Sequence, residues 1–302
     1  MASKTTLKIA AAQYPIGMPR SLAEWEDKIR LWVKTGAATG AELLVFPEYA
    51  AIEQAACFGS EVYGDLKATL TKVAEIAEQR AALHADLARQ HNVHILVGSG
   101  PVLKGSNRFV NAAQLVTPSG GVGVQEKLIM TPFERDWGIS PGAPVRVFDT
   151  RIGKLAIAIC YDSEFPLLAR AMAEAGANVI LVPSCTERIS GYHRVRTGAM
   201  ARALENTIAT VQSPTVGDAP WSPAVDFNAG AAGIYVPSEH DVSDTGVVAE
   251  GTLNKAEWVT GTIDLARLAR VRDTGEMHNF HDWKLQPGAP MTTVKVEQVK
   301  LD

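Results

Sequence analysis

The sequence has little cysteine, no excess of positive charge and no long apolar run, and each shortage removes a class of protein. Three cysteines in 302 residues, an odd number in a long chain, do not form a disulfide framework and point to a reducing compartment. The formal net charge is −4 and there is no basic block, which argues against nucleic acid as the main partner. No uninterrupted apolar stretch is long enough to span a bilayer. The first six residues, MASKTT, lack the apolar core of a signal peptide. The expectation is a soluble cytoplasmic protein with neither membrane nor nucleic acid as partner.

What is present is enough apolar mass for a sizeable core: 46% hydrophobic against 21% charged. Residues 7–14 are apolar and β-compatible, closed by Pro15. Ser21 with Glu24 makes a capping-box pattern that opens a helix through about Ala38. Residues 43–46 read as a buried strand stopped by Pro47, so Glu48 stands at that strand's carboxyl end. Residues 67–90 carry helical spacing and residues 93–97 a third strand. Residues 109–116 and 122–126 read as a hairpin whose second arm Lys127 closes. Residues 128–140 show no clear period and read as a packed loop carrying Glu134 and Trp137.

The stretch 154–166 organises the chain. Six mostly apolar residues suit a strand buried on both faces, and the run stops at Cys160. Pro166 suits the first position of a helix over residues 166–175. Cys160 is therefore expected in a tight turn before a helix N-terminus, where free N–H groups and the helix dipole favour a thiolate, and where open α/β sheets bind ligands. Cys185 follows another buried strand, residues 178–182, but no helix begins directly after it, which makes it the weaker rival; Cys57 reads as structural. A helix over 191–205, strands over 207–212, 229–236 and 258–263, and a short helix to Arg270 complete an α/β pattern with helices outside the sheet. Residues 1–272 read as the domain and 273–302 as a tail without strong period, packing on the domain or on a partner subunit. His84, His91 and His94 have no carboxylate or cysteine completing a ligand set, and His278 and His281, three apart in the tail, offer only a weak metal signal, so no metal is expected.

Three strand ends thus offer a carboxylate (Glu48), a cation (Lys127) and a thiol (Cys160), the parts that acyl transfer through sulfur requires. Their contexts, Phe46-Pro47-Glu48-Tyr49, Glu126-Lys127-Leu128 and Ile159-Cys160-Tyr161-Asp162 with Phe165-Pro166, resemble the nitrilase superfamily of carbon–nitrogen hydrolases. So do Glu134, Arg135 and Trp137-Gly138, and the stretch 201–206. The resemblance implies a four-layer αββα sandwich, a Glu48–Lys127–Cys160 triad with Glu134 as a second glutamate, no metal or organic cofactor, and a homodimer or larger. It implies a thioester route, with the Tyr161 N–H and Lys127 on the oxyanion. Tyr161, Asp162, Trp137 and Cys185 are the expected substrate-binding residues. Cys160-Tyr161-Asp162 looks more like the amidase branches than the nitrilase branch, whereas the Glu134–Gly138 loop looks like nitrilases. The expected substrate is a small carboxylate-bearing amide, with Arg188 or Arg194 as the carboxylate's partner. The alternatives are a nitrile, an N-carbamoyl compound, transfer of the acyl group to an amine, or a catalytically silent scaffold.

Overall fold

A computed structural model describes residues 5–105, 108–287 and 296–302; the reading of residues 1–4 lies outside them. In chain order the strands are β1 (Thr6–Pro15), β2 (Leu43–Val45), β3 (His94–Lys104), β4 (Arg108–Val116), β5 (Val122–Glu126), β6 (Val145–Thr150), β7 (Gly153–Ile157), β8 (Val179–Ser184), β9 (Ala209–Val216), β10 (Gly233–Tyr235), β11 (Val247–Glu250), β12 (Glu257–Asp264) and β13 (Val296–Lys300). The helices are α1 (Leu22–Ala38), α2 (Ser60–Tyr63), α3 (Leu66–Glu75), α4 (Ala77–His91), α5 (Pro132–Asp136), α6 (Pro166–Glu174), α7 (Ile189–Asn206), α8 (Leu265–Thr274) and α9 (Asn279–Asp282).

The strands form two sheets. One runs β12-β1-β2-β3-β4-β5 and the other β13-β6-β7-β8-β9-β10-β11; the end of β1 joins them by pairing Tyr14 and Pro15 with Thr215 and Val216 of β9. The alternation along β1 explains the layers. Leu7, Ile9 and Ala11 face the second sheet and share a core with Val147, Leu155, Ile157 and Ile180. Ala10, Ala12 and Tyr14 face outward onto Trp25, Ile29 and Val33 of α1 and Leu83 and Leu87 of α4. Both faces of β1 are thus apolar, and a strand with no polar face must be covered on both sides. On the far side, Ala169, Met172 and Ala173 of α6 and Val195, Ala199 and Ala203 of α7 cover the second sheet. The result is a four-layer αββα sandwich.

Three segments differ from the sequence reading. The single helix expected over 67–90 is two, broken at Ile76, whose backbone leaves the helical region (φ −100°, ψ 13°). Within the expected loop 128–140, residues 132–136 are helical. Thr131 caps that turn with its side chain on the Glu134 N–H, while Glu134 reaches back to the Thr131 N–H. In the tail, β13 runs parallel to β6 with Val296 opposite Val145. Of the small residues on α6 and α7, Ala169, Ala173, Ala199 and Ala203 are buried beneath their own helices within the chain.

Candidate active site

Each chemically active side chain reaches the same place through a local backbone constraint. Glu48 follows Phe46-Pro47 at the end of β2, and Tyr49 next to it turns the chain with φ +55°. The turn lies against β3. The Ser99 N–H donates to Pro47 O at 3.1 Å, and Gly98, at φ +85°, leaves no room for a Cβ, which would stand 2.3 Å from Pro47 O. Lys127 continues from β5, its N–H donating to Asn111 O at 2.8 Å and its carbonyl accepting from Gly142 N at 2.8 Å. A side chain at Gly142 would strike the Glu126 Cβ at 2.2 Å.

Cys160 itself has φ +48°, a sparsely populated conformation for a non-glycine residue and the kind that marks functional turns. Here the structure corrects the sequence reading. A 3-10 turn, Cys160–Glu164, separates the thiol from α6, which starts at Pro166 as expected. The thiol is not held as a thiolate: burial, and after it the Glu48 charge, push its pKa well up, against a smaller opposing effect of Lys127.

The four groups form one buried cluster. Lys127 Nζ lies 2.7 Å from Glu48 Oε1 and 2.6 Å from Glu134 Oε2. All three side chains are at most 3% exposed. Burial lowers the lysine's affinity for its proton, but the two carboxylates reverse this and raise its pKa above the ordinary value, so it is a fixed cation. Glu134 also accepts from Tyr49 Oη (2.8 Å), Asn111 Nδ2 (3.1 Å), Thr131 N (3.0 Å) and Thr131 Oγ1 (2.9 Å). Burial pushes its pKa up, but Lys127 and these donors outweigh that and hold it below the usual carboxylate range. Glu48 accepts from Asn111 Nδ2 (3.0 Å) and from Cys185 N (3.0 Å), and the Cys160 thiol lies close enough to feel its charge. In its case burial wins and raises the pKa, although Lys127 opposes it.

These groups line the floor of a cleft of about 430 Å³. Its walls include Tyr161, Trp137, Phe133 and Phe227, with Arg188, Arg194, Glu164, Glu187 and Asp226 also lining it. Of the expected substrate-binding residues, Tyr161, Trp137 and Cys185 line the cleft and Asp162 does not. The Asp162 carboxylate accepts from Leu128 N (3.1 Å) and Ile129 N (2.8 Å), holding the chain just after Lys127, and its pKa is pushed up by burial to about 7. Cys185 contributes its main chain: its N–H binds Glu48 and its carbonyl accepts from Cys160 Sγ at 3.8 Å. Arg194 is paired with Glu164 at 3.3 Å, while Arg188 stands 79% exposed with Glu187 at 3.9 Å. His84 and His94 are spent elsewhere, on Arg80 O and the Asp302 carboxylate.

Sequence reasoning missed Asn111, Tyr49 and Thr131. For Thr131 a signal exists, since Thr131-Pro132-Phe133-Glu134 is a capping box with proline at the first helical position. Asn111 carries none: one polar residue in a strand is as often a satisfied core amide as a site residue.

A thiol, an acid–base carboxylate and a fixed cation around one open cleft are the equipment of a hydrolase acting through sulfur. The comparisons give the particular family: a model described as carbon–nitrogen hydrolase matches residues 8–273, and the chain belongs to that family, within the nitrilase superfamily. It is 38% identical over 277 residues to the probable hydrolase YhcX of Bacillus subtilis, covering 91% of this chain and 53% of that protein. The chain therefore spans about half the length of that relative. It is 27% identical over 252 residues to the omega-amidase NIT2-B of Xenopus laevis, covering 80% of this chain and 83% of the other. In fold it is similar to Saccharomyces cerevisiae Nit3, a member of branch 10 of the nitrilase superfamily, with a TM-score of 0.72, 19% identity, and coverage of 90% and 96%.

Proposed function

We propose that the protein is a cysteine-dependent amidase that cleaves small carboxamides to ammonia and a carboxylic acid. The observation that carries this reading is the meeting of the Cys160 thiol, the Glu48 carboxylate and the Lys127 ammonium at one cleft floor. With a high-pKa thiol beside a carboxylate, the resting pair is neutral thiol and carboxylate, and the proton moves to Glu48 as sulfur attacks the carbonyl carbon. The developing oxyanion is met by Lys127 and the Tyr161 N–H; one such donor contributes roughly 3–4 kcal/mol. The raised pKa of Glu48 suits its next task, donating the proton to the departing nitrogen as the C–N bond breaks. Water activated by Glu48 then releases the acid from the Cys160 thioester. Glu134 stays ionised and holds Lys127 in place.

An amide is favoured over a nitrile by Tyr161 at the cleft beside the thiol, as in the amidase-like pattern Cys160-Tyr161-Asp162, and by the similarity to an omega-amidase. If the substrate carries a carboxylate, Arg188 is the freer of the two arginines on the cleft. We further propose that the protein assembles as a homodimer or larger.

The test is a panel of small amides, N-carbamoyl compounds and nitriles, with ammonia and product mass measured for wild type and Cys160→Ala. The reading predicts amide turnover lost in Cys160→Ala. Nitrile turnover well above that of every amide, or full activity in the variant, contradicts it.

A further inference from the structure

One side chain that touches both carboxylates of the cluster is left unused by the mechanism. Asn111, in β4, is fully buried. Its Nδ2 donates to Glu48 Oε1 at 3.0 Å and to Glu134 Oε1 at 3.1 Å, and its main-chain carbonyl accepts from the Lys127 main-chain N–H at 2.8 Å. Its Oδ1 has no partner among the described residues. An orphaned buried carbonyl oxygen is costly, and an amide usually turns to avoid one. Here turning it would set Oδ1 against two carboxylate oxygens and lose both hydrogen bonds, so the orientation is fixed by its neighbours.

We propose that Asn111 is a positioning residue that sets the protonation of Glu48: its carboxamide spaces the two carboxylates around Lys127 and keeps Glu48 ionised, ready to accept the thiol proton. The inference rests on the proposed role of Glu48. Other groups facing Glu48 are accounted for. Lys127 and the Cys185 N–H hold its charge, Glu134 opposes it, the Cys160 and Cys185 thiols and the Tyr49 phenol are neutral with raised pKa values, and Asp162 lies further off with its own two N–H donors. Asn111 is the neutral group that donates to both carboxylates at once. Removing it takes a donor from ionised Glu48 and leaves the Glu134 charge less screened, and both changes favour the protonated form.

The experiment measures the rate of Cys160 alkylation by iodoacetamide from pH 4 to 9, read by peptide mass spectrometry, beside kcat and KM for an amide that wild type turns over. The proteins are wild type, Asn111→Ala, Asn111→Ser and Asn111→Asp. In Asn111→Ala the acid limb of alkylation is expected to move up by about one pH unit, with kcat reduced 10-fold or more and KM changed less than 3-fold. Asn111→Ser, which can donate to one carboxylate, is expected to move it less; Asn111→Asp, which adds a third carboxyl, at least as far as alanine. An acid limb that coincides with wild type in the folded variants, whatever happens to the rate, overturns the proposal. Alkylation needs no turnover, so a wild type inactive on every amide would sink the amidase reading while leaving this test to run. If Asn111→Ala does not fold, the serine and aspartate variants carry the same comparison.

Discussion

Glu48 and Glu134 share one cation and differ in what else they hold. Glu134 has Tyr49, Asn111 and two Thr131 donors besides Lys127, and its pKa lies below the usual range. Glu48 has fewer donors and stands beside the thiol, and its pKa is raised. Two acids pushed in opposite directions fit the division of labour proposed above, with Glu48 as the proton carrier and Glu134 as the fixed charge. Glu48→Gln and Lys127→Ala are each expected to lower kcat by about 10³-fold or more, and the double variant to be scarcely worse, because groups acting as a unit lose activity non-additively. A near-additive double variant in steady-state kinetics would contradict the shared role. Cys185→Ala should keep most of the turnover, since Cys185 serves Glu48 through its main-chain N–H, which alanine retains. At this scale Glu48, Lys127 and Cys160 were legible because each stands where an apolar strand stops. Asp162 misled, because adjacency to Cys160 in sequence says nothing of which way a side chain turns in a 3-10 turn with Cys160 at φ +48°.

The elements legible in the sequence are those with a two-sided apolar strand or a long amphipathic helix, such as β1, β2, β8 and α7. Those that were not have no period to read. In β13 the better buried positions are Val296 and Val299, three apart, with exposed residues between, so neither a strand nor a helix pattern emerges. What seats this strand follows it in the chain. Leu301 is buried in the main core, and the Asp302 carboxylate accepts from Arg151 N (2.8 Å), His94 Nε2 (3.1 Å) and Ser119 Oγ. Leu301→Ala is expected to destabilise the fold by about 2–4 kcal/mol in urea unfolding; no change in midpoint would show the strand undocked. Burial raises the pKa of Asp302, but these hydrogen bonds outweigh it and hold the carboxyl down at about 2. Since its folded pKa is depressed, its contribution is present above the unfolded value near 4 and is lost as pH falls toward 2. The stability gap between wild type and Asp302→Asn should therefore be open at pH 6 and close between pH 4 and 2; a gap that stays constant across that window would assign the loss to packing.

For the whole molecule, strands apolar on both faces give an α/β architecture with helices outside the sheet, but not the four layers, because local periodicity cannot say which sheet a strand joins; the resemblance to the superfamily supplied them. The proposed homodimer predicts a mass about twice 32.3 kDa by light scattering at micromolar concentration, and a monomer there would count against it. Several small residues of α6 and α7 are occupied within the chain, so a dimer through these helices would use outer-face residues such as Leu167 and Leu204, both more than 40% exposed. The central claim, that Cys160 carries the acyl group, is tested most directly by the intact mass of the enzyme quenched within milliseconds of mixing with a substrate amide. The account predicts a mass increase equal to the acyl group, mapped to the Cys160 peptide and absent in Cys160→Ala; turnover that leaves Cys160 unmodified at every time point, or persists in Cys160→Ala, would contradict it.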